Sequence, residues 1–98
     1  MKKKYIVSIN GDITNLEDEN FSKFLNEKKV GWWHWLSNTW LIVDSQNKIT
    51  AKDLRDKAKE VYNNKYNLII DVTSDTWFGF GPNGTDKNMF KWIKENWE

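Results

Sequence analysis

GWWHWLSNTWLIVD, residues 31–44, decides the fold, because it holds four of the seven tryptophans of the chain. Ser37 and Asn38 separate two runs of aromatic and branched residues, and a short polar pair between such runs is typical of a β-hairpin turn. The pattern predicts an antiparallel hairpin over residues 32–44 with Trp35 opposite Trp40. The tryptophans then form a hydrophobic core, a surface for a partner, or a platform on which bases stack.

Strands and helices alternate on either side of this hairpin. KYIVSI at residues 4–9 and YNLIIDV at residues 66–72 show the apolar pattern of strands. Thr14 precedes Glu17 at capping-box spacing, which predicts a first helix that ends near residue 29. Thr50 begins TAKDLRDKAKEVYN, whose apolar residues recur at helical spacing and predict a second helix.

The last segment of the chain is predicted to be a third helix. It begins at Thr85 and carries Met89, Ile93 and Trp97 on one side. The complete order predicts one α+β domain over residues 1–98, a ferredoxin-like βαββαβ antiparallel sheet with two helices on one face and an extra C-terminal helix.

Alternation along the strands assigns side chains to the two faces of this sheet. The aliphatic sets are predicted to lie under the helices: Val7, Ile9, Leu41, Val43, Leu68, Ile70 and Val72. The second face then receives Ile6, Ser8, Asn10, Trp33, Trp35, Trp40, Ile42, Asp44, Ile69 and Asp71. Such a face is too apolar to be left in water, and something is expected to cover it.

Composition excludes several classes of protein. Fifteen basic and fourteen acidic residues leave a net charge of +1, which creates no long-range field to attract nucleic acid or anionic lipid. The chain has no cysteine, no apolar run near eighteen residues and no signal-peptide pattern at its start. These features predict a cytoplasmic protein that does not associate with membranes.

Aromatic residues are the candidate binding residues. Trp33, Trp35 and Trp40, on the predicted second face, could stack on the bases of single-stranded RNA. His34, which lies between two of them in the sequence, and Trp77 are the other candidate binding residues. However, RNA-binding sheets of this kind carry aromatic residues on both central strands, and the first strand here has none on that face. Burial against a second protomer or against the last helix is therefore the favoured prediction. His34 is the only histidine, and a structural imidazole is favoured over a catalytic one.

Two further patterns are weak signs of ligand binding. GFGPNG at residues 79–84 matches the glycine pattern of dinucleotide sites, but no strand or acidic residue follows at the required distance, so a turn is predicted. The carboxylates of Asp12, Asp44, Asp71 and Asp75 are of the type that binds Mg²⁺, although solvated turn residues are the favoured interpretation.

Four segments carry a resemblance to a known family: KYIVSI, NTWLIVDS, AKDLRDKAKEV and NLIIDVTSDTWFGF. Together with Thr39, Trp40, Asp56 and Trp77, they make the chain resemble small bacterial and phage proteins labelled SinR family. Those proteins are similar in fold to small CRISPR-associated ribonuclease-like proteins and to VapD-type toxins.

This resemblance implies a ferredoxin-like homodimer in which residues 76–80 add to a sheet edge. It also implies an aspartate at the end of the first strand, paired across the dimer axis to bind a divalent metal for phosphodiester hydrolysis. This chain has Asn10 at that position, and a neutral amide lacks the charge that holds Mg²⁺. Asp12 is the nearest substitute.

Three functional hypotheses follow. The first is a non-catalytic dimeric interaction module without a cofactor, from a phage or mobile element and directed at a host defence or toxin system. The second is a Mg²⁺-dependent nuclease that uses Asp12, and the third is a module that binds RNA or a nucleotide through Trp33, Trp35 and lysines. The first is favoured because of Asn10, the near-zero net charge and the apolar sheet face.

Overall fold

A computed structural model describes residues 2–72, 78–79 and 81–98 of the chain. The regular elements are β1 (Lys3–Ile9), α1 (Asn15–Glu27), β2 (Gly31–Leu36), β3 (Thr39–Asp44), α2 (Ala51–Val61), β4 (Asn67–Val72) and a short π-helical segment (Ile93–Trp97). The predicted α+β class, the antiparallel sheet and the two main helices are confirmed. No helix within the described ranges combines the length and apolar character needed to cross a bilayer.

The four strands form one open antiparallel sheet in the order β2-β3-β1-β4. The hairpin of β2 and β3 turns at Ser37 and Asn38, as predicted, and its register shifts between Trp33 and Leu36. Among the described strands, β2 and β4 are therefore the two edges of the sheet.

Capping side chains set where both helices begin. Thr14 and Glu17 form the predicted capping box at α1, and Thr50 and Asp53 form another at α2. Each box satisfies backbone N–H groups that a helix start leaves without partners. Past the end of α2, Asn63 and Asn64 have φ values of 56° and 64°, a backbone region that asparagine tolerates better than most residues.

One hydrophobic core lies between the sheet and the two helices. Its fully buried members from the helices include Phe21 and Leu25 of α1 and Leu54 of α2. The sheet contributes Tyr5, Val7, Ile9, Trp40 and Ile42. We call this cluster the helix-side core.

A second core lies on the opposite face of the sheet, beneath the C-terminal segment. It joins Trp33 and Val43 of the hairpin to Met89, Phe90, Ile93 and Trp97. The indole Nε1–H of Trp33 donates a hydrogen bond of 2.7 Å to the backbone oxygen of Met89. Of the two covers expected for the second face, a second protomer or the last segment, it is the last segment that buries Trp33. We call this cluster the C-terminal core.

The predicted start of the last helix at Thr85 is wrong. Residues 82–89 form a tight loop instead, in which Met89 N–H donates to Pro82 O at 2.8 Å and Gly84 N–H donates to Lys87 O at 2.9 Å. A Cβ atom on Gly81 would collide with the side chain of Met89. The glycine therefore allows the loop to pack closely on the C-terminal core.

Several predicted face assignments are also wrong. Val7 pairs with Trp40 across β1 and β3, and this register places Trp40 and Ile42 in the helix-side core while Leu41 and Val43 face the C-terminal segment. In β4, Ile69 packs against the helix-side core, and the alternating residues Leu68, Ile70 and Val72 take the second face. A strand that is apolar on both faces has no alternation from which its orientation can be predicted.

Candidate interaction surface

The most exposed apolar part of the sheet is its β4 edge, which we define as strand β4 with the preceding Tyr66. Among the described residues β4 pairs only with β1, so one side of its backbone has no strand neighbour. Leu68 and Ile70 are 60% and 44% exposed, and Tyr66 is also exposed. Exposed backbone hydrogen-bonding groups beside apolar side chains are the features through which strands from another chain are recognised.

The sequence of β4 lacks the usual protection of an edge strand. Natural edges carry lysine, proline or a bulge that prevents pairing with a second chain. β4 reads NLIIDV, with Asp71 as its one charged residue. The other edge, β2, has the register shift described above, and the C-terminal segment covers its Trp33. The β4 edge is therefore the better surface for association.

A groove borders the β4 edge on the helix side. It has a volume of about 350 Å³, and its lining includes Lys52 and Arg55 of α2 beside Asn67 and Ile69. The Oδ1 atom of Asn67 is buried, and no hydrogen-bond partner for it exists within the described ranges. A buried polar atom without a partner costs free energy, so this oxygen would gain from a donor supplied by another group.

The tryptophans singled out from the sequence do not form a common surface. Trp33 and Trp40 are only 4% and 1% exposed, in two different cores on opposite faces of the sheet. Trp35 is 44% exposed, and the predicted pairing of Trp35 with Trp40 is wrong, because Trp40 packs against Phe21, Trp32 and His34. Trp77 and most of the predicted edge segment 76–80 lie outside the described residues.

His34 is held by contacts on both ring nitrogens. Its ring stacks on Trp40 at 3.8 Å, Nδ1 lies 2.9 Å from Thr39 O, and Nε2 lies 3.0 Å from Asp18 Oδ2. A carbonyl oxygen only accepts, so Nδ1 donates its proton to Thr39. Both ring nitrogens are engaged inside the fold, and this geometry fits a structural imidazole.

Asp18 extends this contact into a hydrogen-bonded chain between α1 and α2. The Tyr62 hydroxyl donates to Asp18 Oδ1 at 2.7 Å and accepts from Trp40 Nε1 at 3.1 Å. Burial and the adjacent carboxylate of Asp18 raise the pKa of Tyr62 above its ordinary value, so its proton stays in place. The chain joins the hairpin to both helices.

The candidate metal residues within the described ranges do not form a cluster, and Asp75 lies outside those ranges. Asn10 and Asp12 are exposed beyond the end of β1, and no group of three or more histidine, aspartate or glutamate side chains within the described ranges is placed to hold a metal ion. Asp44 is buried and accepts hydrogen bonds from the N–H groups of Gln46, Lys48 and Ile49. Although burial raises the pKa of Asp44, these bonds outweigh it and lower the pKa.

Glu17 is a buried charged residue that sequence reasoning identified only as part of a helix cap. Its Oε2 accepts from Lys65 Nζ at 2.6 Å and from Asn63 Nδ2 at 2.8 Å, while Oε1 accepts from Thr14 N–H. These bonds, that from Lys65 foremost, lower the pKa of Glu17 to about 2. The carboxylate thus links the start of α1 to the segment after α2 through these hydrogen bonds.

Replacing Glu17 with glutamine is expected to make the free energy of unfolding less dependent on pH below about pH 4.5. A pKa lowered from 4.5 to about 2 stabilises the fold above about pH 4.5, and this stabilisation is lost as the pH falls through about 2. Urea unfolding at several pH values measures the effect, with Glu27→Gln on the exposed face of α1 as the control. Parallel stability curves for wild type and Glu17→Gln between pH 4.5 and 2 would contradict the prediction.

Fold and surface together define a small α+β protein with an open antiparallel sheet, one edge of which is apolar and has no strand neighbour in the part of the chain that the structure describes. Comparison with protein-family models, with curated proteins and with solved structures found no match to this chain.

Proposed function

We propose that this protein is a non-catalytic interaction module that works as a homodimer. The observation that carries the proposal is the β4 edge, where a strand without lysine, proline or a bulge exposes Leu68 and Ile70. A second copy of the chain is the partner, because an antiparallel strand edge is complementary to itself across a two-fold axis.

The proposed architecture is ferredoxin-like. Read from the β4 edge, the strand order is 4-1-3-2, and the elements follow one another as βαββαβ. Side chains of α1 and α2 share one core on one face of the sheet. This strand order and this placement of the helices are the observations that support the proposed split βαβ architecture.

Charge and burial favour association with a protein over binding of nucleic acid. The net charge of +1 supplies no general attraction to phosphates. Stacking on bases needs several open aromatic faces on one surface, whereas Trp33 and Trp40 are buried in the two cores and leave Trp35 as the exposed candidate of the hairpin. An apolar edge strand, by contrast, gains from contact with another polypeptide without any charge pairing.

The proposal is tested by light scattering coupled to size-exclusion chromatography. A homodimer gives twice the 11.7 kDa mass of the chain. The same sample is incubated with labelled single-stranded RNA in the presence of Mn²⁺, and neither retention nor cleavage is expected. A monomer at all concentrations would refute self-association, and RNA cleavage lost in Asp12→Ala would favour the nuclease hypothesis instead.

Replacing Ile70 with lysine is expected to shift the dimer to monomer, because the charge must be desolvated when a second strand covers the edge. Ile70 is 44% exposed, so the folded monomer loses little burial. Leu36→Lys, at a side chain that is 48% exposed on the opposite edge, is the matched control and should remain dimeric. If Leu36→Lys were monomeric while Ile70→Lys stayed dimeric, the interface would lie at β2 instead.

A further inference from the structure

We infer that two copies pair through antiparallel β4 strands in a single register, with Ile69 facing its own symmetry mate on the two-fold axis. This inference rests on the proposed homodimer and specifies its contact. The register follows from three independent properties of β4: the direction of its backbone groups, the type of side chain on each face, and the position of its charge.

The backbone of β4 presents alternate residues to the free edge. Asn10 N–H donates to Tyr66 O at 2.9 Å, and this pair continues the register in which Ser8 pairs with Leu68 and Ile6 with Ile70. In an antiparallel ladder, every second residue directs both its N–H and its C=O to the same neighbour. The even-numbered residues of β4 therefore bond to β1.

The odd-numbered residues of β4 direct their backbone groups outward, and there are three of them: Asn67, Ile69 and Asp71. When Ile69 faces Ile69 of the partner, Asn67 faces Asp71 at both ends, and each pair exchanges two backbone hydrogen bonds. If the two-fold axis instead passes through Leu68 or Ile70, one of the three odd-numbered residues in each strand lies opposite a residue outside the partner's β4. Pairing centred on Ile69 is thus the arrangement in which all three odd-numbered residues form backbone hydrogen bonds within the two β4 strands.

The apolar side chains of β4 also favour this register. It places Leu68 opposite Ile70 of the partner on the second face, in the pairs without backbone hydrogen bonds where side chains come closest. These two residues are the exposed apolar side chains of β4, at 60% and 44%. Their mutual contact would remove apolar surface from water at both ends of the pairing.

The position of the charged residue Asp71 also favours the register centred on Ile69. A centre at Asp71 would place two like charges directly opposite each other, which is unfavourable. The Ile69 centre places Asp71 opposite Asn67, at the groove bordered by Lys52 and Arg55. The partner's Asp71 would then lie near Lys52 and Arg55, which also contact Asp56 of their own chain, and opposite Asn67, whose side-chain N–H groups can donate to a carboxylate.

Disulfide trapping tests the register, because the natural chain contains no cysteine. Leu68→Cys is mixed with ¹⁵N-labelled Ile70→Cys under reducing conditions until subunits exchange, and the mixture is then oxidised in a glutathione buffer. In the inferred register the thiol introduced by Leu68→Cys faces the thiol introduced by Ile70→Cys in the partner. Identical positions are instead diagonal neighbours about 7–8 Å apart, beyond the usual disulfide span. Mass spectrometry should find the heterodimeric disulfide well above the one-half that random pairing gives.

The control and the alternative outcomes separate the register from the dimer itself. A mixture of labelled and unlabelled Asn20→Cys, exposed on α1, should pair at random. Efficient crosslinking of Leu68→Cys alone or Ile70→Cys alone would overturn the Ile69 centre but keep pairing through β4. A dimer by light scattering that none of these cysteines traps would place the interface elsewhere, and a monomer would refute both the inference and the proposed function.

Discussion

Replacing Trp40 with alanine is expected to lower the free energy of unfolding by about 3–5 kcal/mol, the cost of truncating a buried aromatic residue. The Trp40 side chain is 1% exposed and contacts the rings of Phe21, Trp32 and His34. Its loss also removes the N–H donor to Tyr62. Chemical denaturation followed by circular dichroism measures the change.

Trp35→Ala is the matched control for Trp40→Ala, because it removes the same side chain from the same hairpin at a position that is 44% exposed. A much smaller loss of stability is expected there, since less apolar contact exists in the folded state. Equal effects of the two substitutions would contradict the two environments that the structure assigns. Loss of single-strand RNA binding in either variant, with an unchanged melt, would support a stacking platform.

Replacing Trp33 with alanine is expected to have an effect of similar size, about 3–5 kcal/mol, but through the other core. Trp33 is 4% exposed against Met89, Ile93 and Trp97, and its indole donates to the backbone oxygen of Met89. The substitution opens a cavity beneath the C-terminal segment and leaves that carbonyl without its partner. Urea unfolding gives the total loss.

Hydrogen exchange separates this effect from general unfolding. Amides near the C-terminal segment, such as that of Lys94, should lose protection before those of the helix-side core in Trp33→Ala. Trp33→Phe is the control, because it keeps an aromatic ring and removes mainly the hydrogen bond, for which a loss of about 1–3 kcal/mol is expected. A uniform loss of protection across both cores would show that the C-terminal segment does not undock independently.

The sequence was sufficient where local chemistry determines structure. The two capping boxes at Thr14 and Thr50, the asparagines after α2 and the polar turn of the hairpin all act through the backbone within a few residues. For that reason the main strands and helices were predicted close to their observed bounds. Alternation in β1 also placed Val7 and Ile9 correctly under the helices.

Tertiary structure alone decided which tryptophan belongs to which core. TWLIVD in β3 is apolar on both faces, so nothing local distinguishes Trp40 from Leu41, and the pairing of Trp40 with Val7 makes the choice. The ion pair of Glu17 with Lys65 and the contact of His34 with Asp18 likewise join residues far apart in the chain. Only the packed sheet brings such groups together, because their free energy depends on neighbours that the local sequence does not contain.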